Sequence, residues 1–239
     1  MSWISSKSIP VNERLIVALD VPDIPSAKAL VNTLGNSVVF YKIGLELFMS
    51  GDYFELINWL NSQNKRIFVD LKFFDVPETV GRAVAQLRDK AVDFVTIHGN
   101  NAIMEAAAKQ KGSLKVLAVT VLTSLDRGDL DDLGFQCDVE ELVLSRAKRA
   151  VELGCDGVIS SGLEAAKLRE NLGDNFLVVS PGIRPVDNRP EDDQKRVVTV
   201  EQAFNNGADH IVVGRPIRDA KDPRQAALDI QQTIATVFE

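Results

Sequence analysis

Two carboxylates and one ammonium occur close together in residues 68–79, whose sequence is FVDLKFFDVPET. Side chains alternate along a strand, so Asp70 and Lys72 are expected on the same face. Asp75 follows shortly after, and two carboxylates beside an ammonium favour the charged form of that ammonium. A charged proton donor next to a fixed negative charge suits a reaction that expels an anionic group and then needs a proton. The alternative is a surface salt bridge between a strand and its following loop.

The elements on either side of these charges can be predicted from local composition. Residues 66–71 are mostly β-branched and aromatic, which is typical of a buried parallel strand. Pro77 suits the first turn of a helix, where its missing N–H costs nothing, and we expect Asp75 to cap that helix. The charged residues therefore fall where a strand ends and a helix begins.

Apolar strands and helical segments alternate along the whole chain of 239 residues. The predicted strands are residues 14–20, 38–43, 66–71, 93–98, 114–122, 157–159, 176–180 and 210–213. No linker or change of composition divides them, so we expect residues 1–239 to form one domain. Eight strands favour an α/β fold of the closed (β/α)8 type, a TIM barrel, over an open doubly wound sheet.

Polar side chains recur where these predicted strands end. They are Asp20, Lys42, Asp70, Lys72, His98, Thr123, Ser160, Arg184 and Arg215. In a (β/α)8 barrel the carboxyl ends of the strands form the face that carries the active site, whereas the opposite face serves stability. Solvated loop charges would not be expected at nearly every strand end, so this distribution indicates a functional site.

The last two strands are followed by sequences that suit a phosphate group. Gly214 and Arg215 end the eighth strand, and loops after strands seven and eight commonly form the phosphate site of a barrel. Arg215 would supply a bidentate charge; the alternative is a plain tight turn. Residues 186–196 form a long charged loop of the kind that often covers an active site. Gln194 in that loop could reach a bound phosphate or base, although a solvated surface loop would explain most of its charges.

Composition excludes several classes of function. The formal net charge of −7 and the absence of a Lys/Arg cluster argue against a nucleic-acid partner. No signal peptide or membrane-spanning run is recognisable, so we expect a cytoplasmic protein without a membrane partner. Two histidines and two distant cysteines suit no metal site. No glycine fingerprint for a dinucleotide follows the first strand, so we expect chemistry without a cofactor.

Seven motifs, taken together and in this order, resemble the orotidine 5′-monophosphate decarboxylases of bacteria over essentially the whole chain. They are Val17-Ala18-Leu19-Asp20, Tyr41-Lys42-Ile43-Gly44, the DLKFFDVPET run at residues 70–79, VTVLTS at residues 119–124, Pro181-Gly182-Ile183-Arg184-Pro185, Asp193-Gln194 and Gly214-Arg215-Pro216. Two positions depart from the common bacterial form: Phe74 stands where histidine is frequent, and Glu78 where asparagine is frequent.

The resemblance implies a lyase of pyrimidine biosynthesis that converts orotidine 5′-monophosphate to uridine 5′-monophosphate. It implies that Lys72 donates a proton to C6 of the pyrimidine and that Asp70 crowds the departing carboxylate. It also implies a homodimer with shared active sites, in which Asp75 and Thr79 of each chain reach into the active site of the neighbouring chain. The remaining implied ligand contacts are Asp20 and Lys42 at the ribose, Thr123 and Ser124 at the pyrimidine, Gln194, Gly214 and Arg215 at the phosphate, and Arg184.

Two other functions compete with this one. A magnesium-dependent sugar-phosphate decarboxylase or aldolase of the same barrel superfamily would share the Asp-x-Lys-x-x-Asp spacing. The long loop after Arg184 and the Leu122-Thr123-Ser124 run speak against it. The other is a catalytically silent nucleotide-binding barrel, against which the intact set of Asp70, Lys72 and Asp75 argues.

Overall fold

A computed structural model describes residues 2–98, 100–184 and 196–239. Eight parallel strands pair in sequence order, and the eighth pairs with the first, so that the sheet closes into a barrel. The predicted (β/α)8 fold is confirmed. Because all strands run in the same direction, their carboxyl ends meet at one end of the barrel.

The strands are β1 Leu15–Ala18, β2 Phe40–Gly44, β3 Arg66–Phe73, β4 Phe94–Ile97, β5 Lys115–Val119, β6 Gly157–Ile159, β7 Leu177–Ser180 and β8 His210–Val213. The helices are α1 Ile24–Leu34, α2 Leu45–Met49, α3 Tyr53–Ser62, α4 Pro77–Arg88, α5 Asn101–Gln110, α6 Arg127–Asp132, α7 Val139–Glu152, α8 Ala165–Leu172, α9 Val200–Asn205, α10 Arg215–Arg218 and α11 Pro223–Phe238. Within the three described ranges, each helix is too short or too polar to span a bilayer.

Alternation along the strands separates two apolar cores. Residues such as Leu15 and Val17 face outward and pack beneath the helices, whereas their neighbour Ile16 faces into the barrel. Phe40 and Phe68 fill the barrel interior together with Phe94, whose ring contacts each of the other two edge to face. Because every second side chain of a strand faces inward, the residue two positions after each of these aromatics also faces inward and lies nearer the carboxyl end of the barrel.

The structure differs from the sequence predictions at several places; β5, for example, ends at Val119 rather than at residue 122. β3 continues to Phe73 rather than ending at residue 71. A helix, α6, occupies part of the polar segment before α7, and a reciprocal capping box between Asp126 and Asp129 stabilises its first turn. Asp75 does not cap α4, because the cap position belongs to Val76 and the Asp75 carboxylate accepts a hydrogen bond only one residue ahead, from the Val76 N–H.

Candidate active site

A cavity of about 480 Å³ opens at the carboxyl ends of the strands. Its floor is apolar and is formed by interior residues of the barrel such as Ala18, Phe68 and Val212. Its walls are polar. Nine of the predicted site residues line it: Asp20, Lys42, Asp70, Lys72, Thr123, Ser124, Arg184, Gly214 and Arg215.

Four charged side chains form a row of alternating sign along one wall of the cavity. Lys42 Nζ lies 3.1 Å from Asp20 Oδ1 and 3.4 Å from Asp70 Oδ2. Asp70 Oδ1 lies 3.0 Å from Lys72 Nζ. The row exists because β1, β2 and β3 are adjacent and each brings an inward-facing charge to the cavity: Lys42 and Asp70 lie within β2 and β3, and Asp20 lies two residues past β1. Its two inner members are nearly buried, whereas the outer side chains of Asp20 and Lys72 are 46% and 33% exposed to the cavity.

The row keeps its two inner groups ionised. Burial alone would lower the pKa of Lys42, but Asp70 and Asp20 outweigh that effect and raise this pKa above its usual value. Burial alone would raise the pKa of Asp70, but Lys42, Lys72 and a hydrogen bond from Thr96 lower it below its usual value. Asp70 is therefore a fixed negative charge inside the cavity, and Lys72 holds its ammonium beside it.

The Lys72 backbone adopts a conformation that few non-glycine residues tolerate. Its φ is 48°, in the left-handed region, and the pairing register of β3 with β4 shifts between Val69 and Phe73. A non-glycine residue in this region typically costs about 1–3 kcal/mol and persists only where its surroundings hold it there. Asp70 and Lys72 thus come together through an irregularity of the strand, and not through plain alternation.

The rest of the cavity wall comes from the loops after β5, β7 and β8. Thr123 and Ser124 follow β5, while Gly214 leads from β8 directly into the short helix α10, which begins at Arg215. After β7, Ile183 forms a bridge with Val198, and the Arg184 N–H donates to the Val198 carbonyl. Because β8 is the neighbour of β1, Gly214 lies beside Asp20, at the end of the row that is far from Lys72.

Three predicted site residues are not placed in this cavity. Asp75 and Thr79 belong to the turn before α4 and to its first turn, and neither lines the cavity of its own chain. Asp75 is exposed and Thr79 is partly exposed. Gln194, with most of the predicted loop at 186–196, lies outside the described residues.

Three side chains at the site escaped sequence reasoning. Thr96 hydrogen-bonds to Asp70 and to the Lys72 backbone, and its only signal was a polar residue inside an apolar strand. Arg218 lines the cavity and donates to the Asp20 carbonyl. Arg196 pairs with the buried Glu164 and donates to the Val121 and Leu122 carbonyls, directly before Thr123. Neither arginine ends a strand, so the search at strand ends could not find them.

The donor set offers little to a metal ion. In the described part of the chain, no group of three His, Cys, Asp or Glu side chains is arranged to hold one. The carboxylates of Asp20 and Asp70 are instead bridged by the Lys42 ammonium.

Comparisons with known proteins agree with this geometry. Residues 13–230 match the model of the orotidine 5′-phosphate decarboxylase / HUMPS family. The orotidine 5′-phosphate decarboxylase of Methylococcus capsulatus is 69% identical over 237 residues, which cover 99% of this chain and 98% of that protein. The enzyme of the same name from Stenotrophomonas maltophilia is 52% identical over 95% of each chain.

A solved structure gives the same result for the fold. The crystal structure of orotidine 5′-phosphate decarboxylase from Lactobacillus acidophilus superposes with a TM-score of 0.82 at 36% sequence identity. The match covers 93% of this chain and 99% of that one. The chain described here therefore belongs to the orotidine 5′-phosphate decarboxylase / HUMPS family.

Proposed function

We propose that the protein decarboxylates orotidine 5′-monophosphate to uridine 5′-monophosphate in pyrimidine biosynthesis, without a cofactor. The observation that carries the proposal is the alternating row that ends in Asp70 and Lys72 at the cavity, within a chain 69% identical to a protein named for this activity. The row provides one fixed anion and one proton donor 3.0 Å apart, as this reaction requires.

The reaction breaks the bond between C6 of the pyrimidine and its carboxylate. Carbon dioxide leaves without the bonding electron pair, which stays on C6, and Lys72 then transfers a proton from Nζ to that carbon. Asp70 disfavours the bound substrate by like-charge repulsion with the carboxylate. The Lys72 ammonium stabilises the negative charge as it develops on C6. Lys42, fixed between Asp20 and Asp70, holds both carboxylates in place and lowers the pKa of Asp70.

The rest of the substrate would lie along the cavity. In this assignment Asp20 and Lys42 contact the ribose, Thr123 and Ser124 contact the pyrimidine, and Arg215 with the Gly214 N–H binds the phosphate. Arg184 and Gln194 complete the ligand contacts. Because the phosphate is remote from C6, its binding energy can be used to organise the reacting groups rather than to hold the ground state alone.

The rival function is a magnesium-dependent reaction on a sugar phosphate by a member of the same barrel superfamily. The curated relatives quoted above are both named orotidine 5′-phosphate decarboxylase, which favours the proposal over this rival. The deciding experiment follows the absorbance of orotidine 5′-monophosphate with purified protein, with and without a chelator. We expect equal turnover in both. No turnover in either, or turnover that the chelator abolishes, would overturn the proposal.

The proposal includes a homodimer whose active sites are shared. Asp75 lies on the surface between Phe74 and Val76, which are 70% and 63% exposed. Two large apolar side chains beside a carboxylate form a patch that a second copy of the chain would cover. A partner chain would then receive Asp75 and Thr79 at its own cavity.

Mixed dimers test this sharing. Lys72→Ala and Asp75→Asn chains are each expected to be inactive alone. In a hybrid, one site inherits both changes and the other has neither. Random pairing makes about half of the dimers hybrid, so about a quarter of all sites should be active by the two-fold symmetry of the interface. Differently tagged hybrids that are purified and still inactive would place Asp75 in its own chain's site.

Two further parts of the proposal rest on the sequence. We infer that residues 1–239 act as one domain, which is supported by the pairing of β1 with β8. A cytoplasmic location is the one that suits a nucleotide substrate. Limited proteolysis that released two stable fragments would contradict the first inference, and a secreted native protein would contradict the second.

A further inference from the structure

The irregular end of β3 lies opposite a single residue of β4. Val69 pairs with Val95 and Phe73 pairs with Ile97, so three residues of β3, at positions 70–72, face only Thr96. Regular pairing with β4 cannot provide a hydrogen-bond acceptor for the backbone N–H groups of all three residues. Lys72, at the left-handed position of this bulge, is the one whose N–H turns to a side chain.

The Thr96 hydroxyl links both reacting residues. Its Oγ1 accepts a hydrogen bond from the Lys72 N–H at 2.9 Å and donates one to Asp70 Oδ1, also at 2.9 Å. A hydroxyl has a single proton, so accepting from a backbone amide directs that proton to the carboxylate. Thr96 is fully buried and does not line the cavity, and therefore its hydroxyl has no contact with bound substrate.

These two hydrogen bonds determine where the charges of the site stand. Asp70 Oδ1 accepts a hydrogen bond from Thr96 Oγ1 and pairs with Lys72 Nζ, and the other oxygen, Oδ2, is turned toward Lys42. The Lys72 N–H fixes the backbone from which the ammonium extends. Rotation of the carboxylate, or relaxation of the Lys72 backbone to a negative φ, would change the distance between the anion and the proton donor.

We propose that Thr96 is a positioning residue for the decarboxylation, which holds Asp70 and Lys72 in their reactive arrangement through one hydroxyl. The inference rests on the proposed function, because that function assigns the roles of Asp70 and Lys72. It predicts an effect on the chemical step and little effect on substrate binding, since the proposed phosphate contacts, Gly214 and Arg215, follow β8 and not β3.

The test compares Thr96→Val, which keeps the shape and removes the hydroxyl, with Thr96→Ser, which keeps the hydroxyl. A misplacement of about 1 Å can cost ~10²-fold in rate. We expect Thr96→Val to lower kcat at least ~10-fold with KM changed less than ~3-fold, and Thr96→Ser to keep kcat within ~3-fold of the wild type. A folded Thr96→Val enzyme with wild-type kcat, or a Ser variant as slow as the Val variant, would overturn the proposal.

A matched control separates positioning from the general cost of losing a buried hydroxyl. Thr120 is also buried near the end of its strand, and its hydroxyl donates to the Ile159 carbonyl at 2.8 Å. Thr120→Val should lower the melting temperature about as much as Thr96→Val and leave kcat unchanged. Equal losses of kcat in both variants would show that Thr96 acts through stability alone.

A structural readout keeps this inference separate from the proposed function. Crystal structures of the two Thr96 variants should show the Lys72 backbone or the Asp70 carboxylate displaced in the Val variant and unmoved in the Ser variant. Unmoved groups in the Val variant would overturn the inference, whatever the reaction is. If Thr96→Val does not fold, Thr96→Cys replaces it, because a thiol is a weaker donor and acceptor. A reduced kcat at unchanged KM supports the proposal, and a wild-type kcat refutes it.

Discussion

A buried carboxylate lies at each end of the barrel, Asp70 at the carboxyl end of β3 and Asp209 just before the amino end of β8. Asp209 has no exposed surface, and its oxygens accept hydrogen bonds from Ser5, Lys7, Arg169 and the Val178 N–H. Burial disfavours its charge, but Arg169, Ser5 and Lys7 outweigh burial and lower its pKa below the usual value. Both carboxylates are thus held ionised by neighbouring cations.

The charged groups around Asp209 and those around Asp70 differ in their arrangement and in whether they reach the cavity. Around Asp209 the donors converge on one anion, and two of them belong to the N-terminal segment that covers it. Around Asp70 the charges alternate in a row whose outer members reach the cavity. In a converging cluster every charge is paired within the protein, and the cluster contributes to stability. In an open row the outer charged groups remain accessible to a ligand. Substitutions at the two ends should therefore affect different quantities.

The largest effect is expected at the open end of the row. Lys72→Ala removes the proposed proton donor and the charge proposed to stabilise the carbanion, each worth at least ~10²-fold, so kcat/KM should fall at least ~10⁴-fold. The melting temperature should change little, because Lys42 still pairs with Asp70. Steady-state decarboxylation and thermal unfolding measure the two quantities.

Lys7→Ala is the matched control at the other end. It also removes a lysine that pairs with an aspartate, and we expect lower stability with unchanged kcat. A Lys72→Ala enzyme that keeps a hundredth of the wild-type activity would be incompatible with a proton-donor role.

The next largest effect is expected on stability, at Asp209. Asp209→Asn leaves the buried guanidinium of Arg169 without its counter-charge, and breaking a buried pair typically costs ~3–5 kcal/mol. Denaturant unfolding should show that loss, while kcat below the unfolding transition stays at the wild-type value. A loss under ~1 kcal/mol would mean that the cluster does not stabilise the fold as inferred.

The pH dependence of stability should also depend on the amino end. His210 lies inside the barrel between the rings of Phe40 and Phe94 and donates from Nδ1 to the Glu13 carbonyl. Burial lowers its pKa from 6.5 to about 4, so the unfolded chain binds a proton first as the pH falls. This contribution to stability is fully present above pH 6.5 and is lost as the pH falls toward 4, by at most ~3.5 kcal/mol at ~1.4 kcal/mol per pH unit.

His210→Asn is the variant that isolates this contribution, because its amide can still donate to Glu13. Unfolding free energies at several values between pH 7 and pH 4.5 should show a shallower slope in the variant. His98, whose pKa burial also lowers, acts in the same direction in both proteins. Identical slopes would show that His210 takes up no proton on unfolding in this range.

The smallest effect is expected at Arg215, directly after β8. Arg215→Ala removes the proposed charge-assisted contact to the phosphate, worth ~1.5–3 kcal/mol, so KM should rise ~10- to 100-fold. Orotidine without its phosphate should be processed almost equally badly by both proteins. Arg224→Ala, on the exposed side of α11, is the control. Unchanged affinity in the Arg215 variant would exclude Arg215 as the phosphate anchor.

Much of the fold and the placement of the row could be predicted from the sequence. Apolar runs of strand length, each ending in a polar residue, predicted the barrel and the face on which Asp20, Lys42 and Asp70 meet. Period-two alternation is enough for those three residues, because each lies within or just past the carboxyl half of its strand, before the irregular part of β3, and the three strands are neighbours in the sheet.

The finer arrangement depends on contacts that no local pattern predicts. The left-handed backbone of Lys72 follows from a register shift against β4, and the Thr96 hydroxyl that holds it lies within an apolar strand. Helix α6 was missed because its six residues include one large apolar side chain, Leu130, and so show no apolar period, although the Asp126 and Asp129 spacing of its capping box could have indicated it. Asp75 was expected to cap α4, yet the extended Val76 backbone takes that position.

The cover over Asp209 constrains the order in which the chain can fold during synthesis. Ser5 and Lys7 are made first, but their partner follows 204 and 202 residues later, and β1 likewise waits for β8. Contacts between residues so distant in sequence form late, because closing the long loop between them costs conformational entropy before the contacts can compensate for that cost. The N-terminal segment therefore stays unanchored on the ribosome until nearly the whole barrel has emerged, and its docking completes the fold.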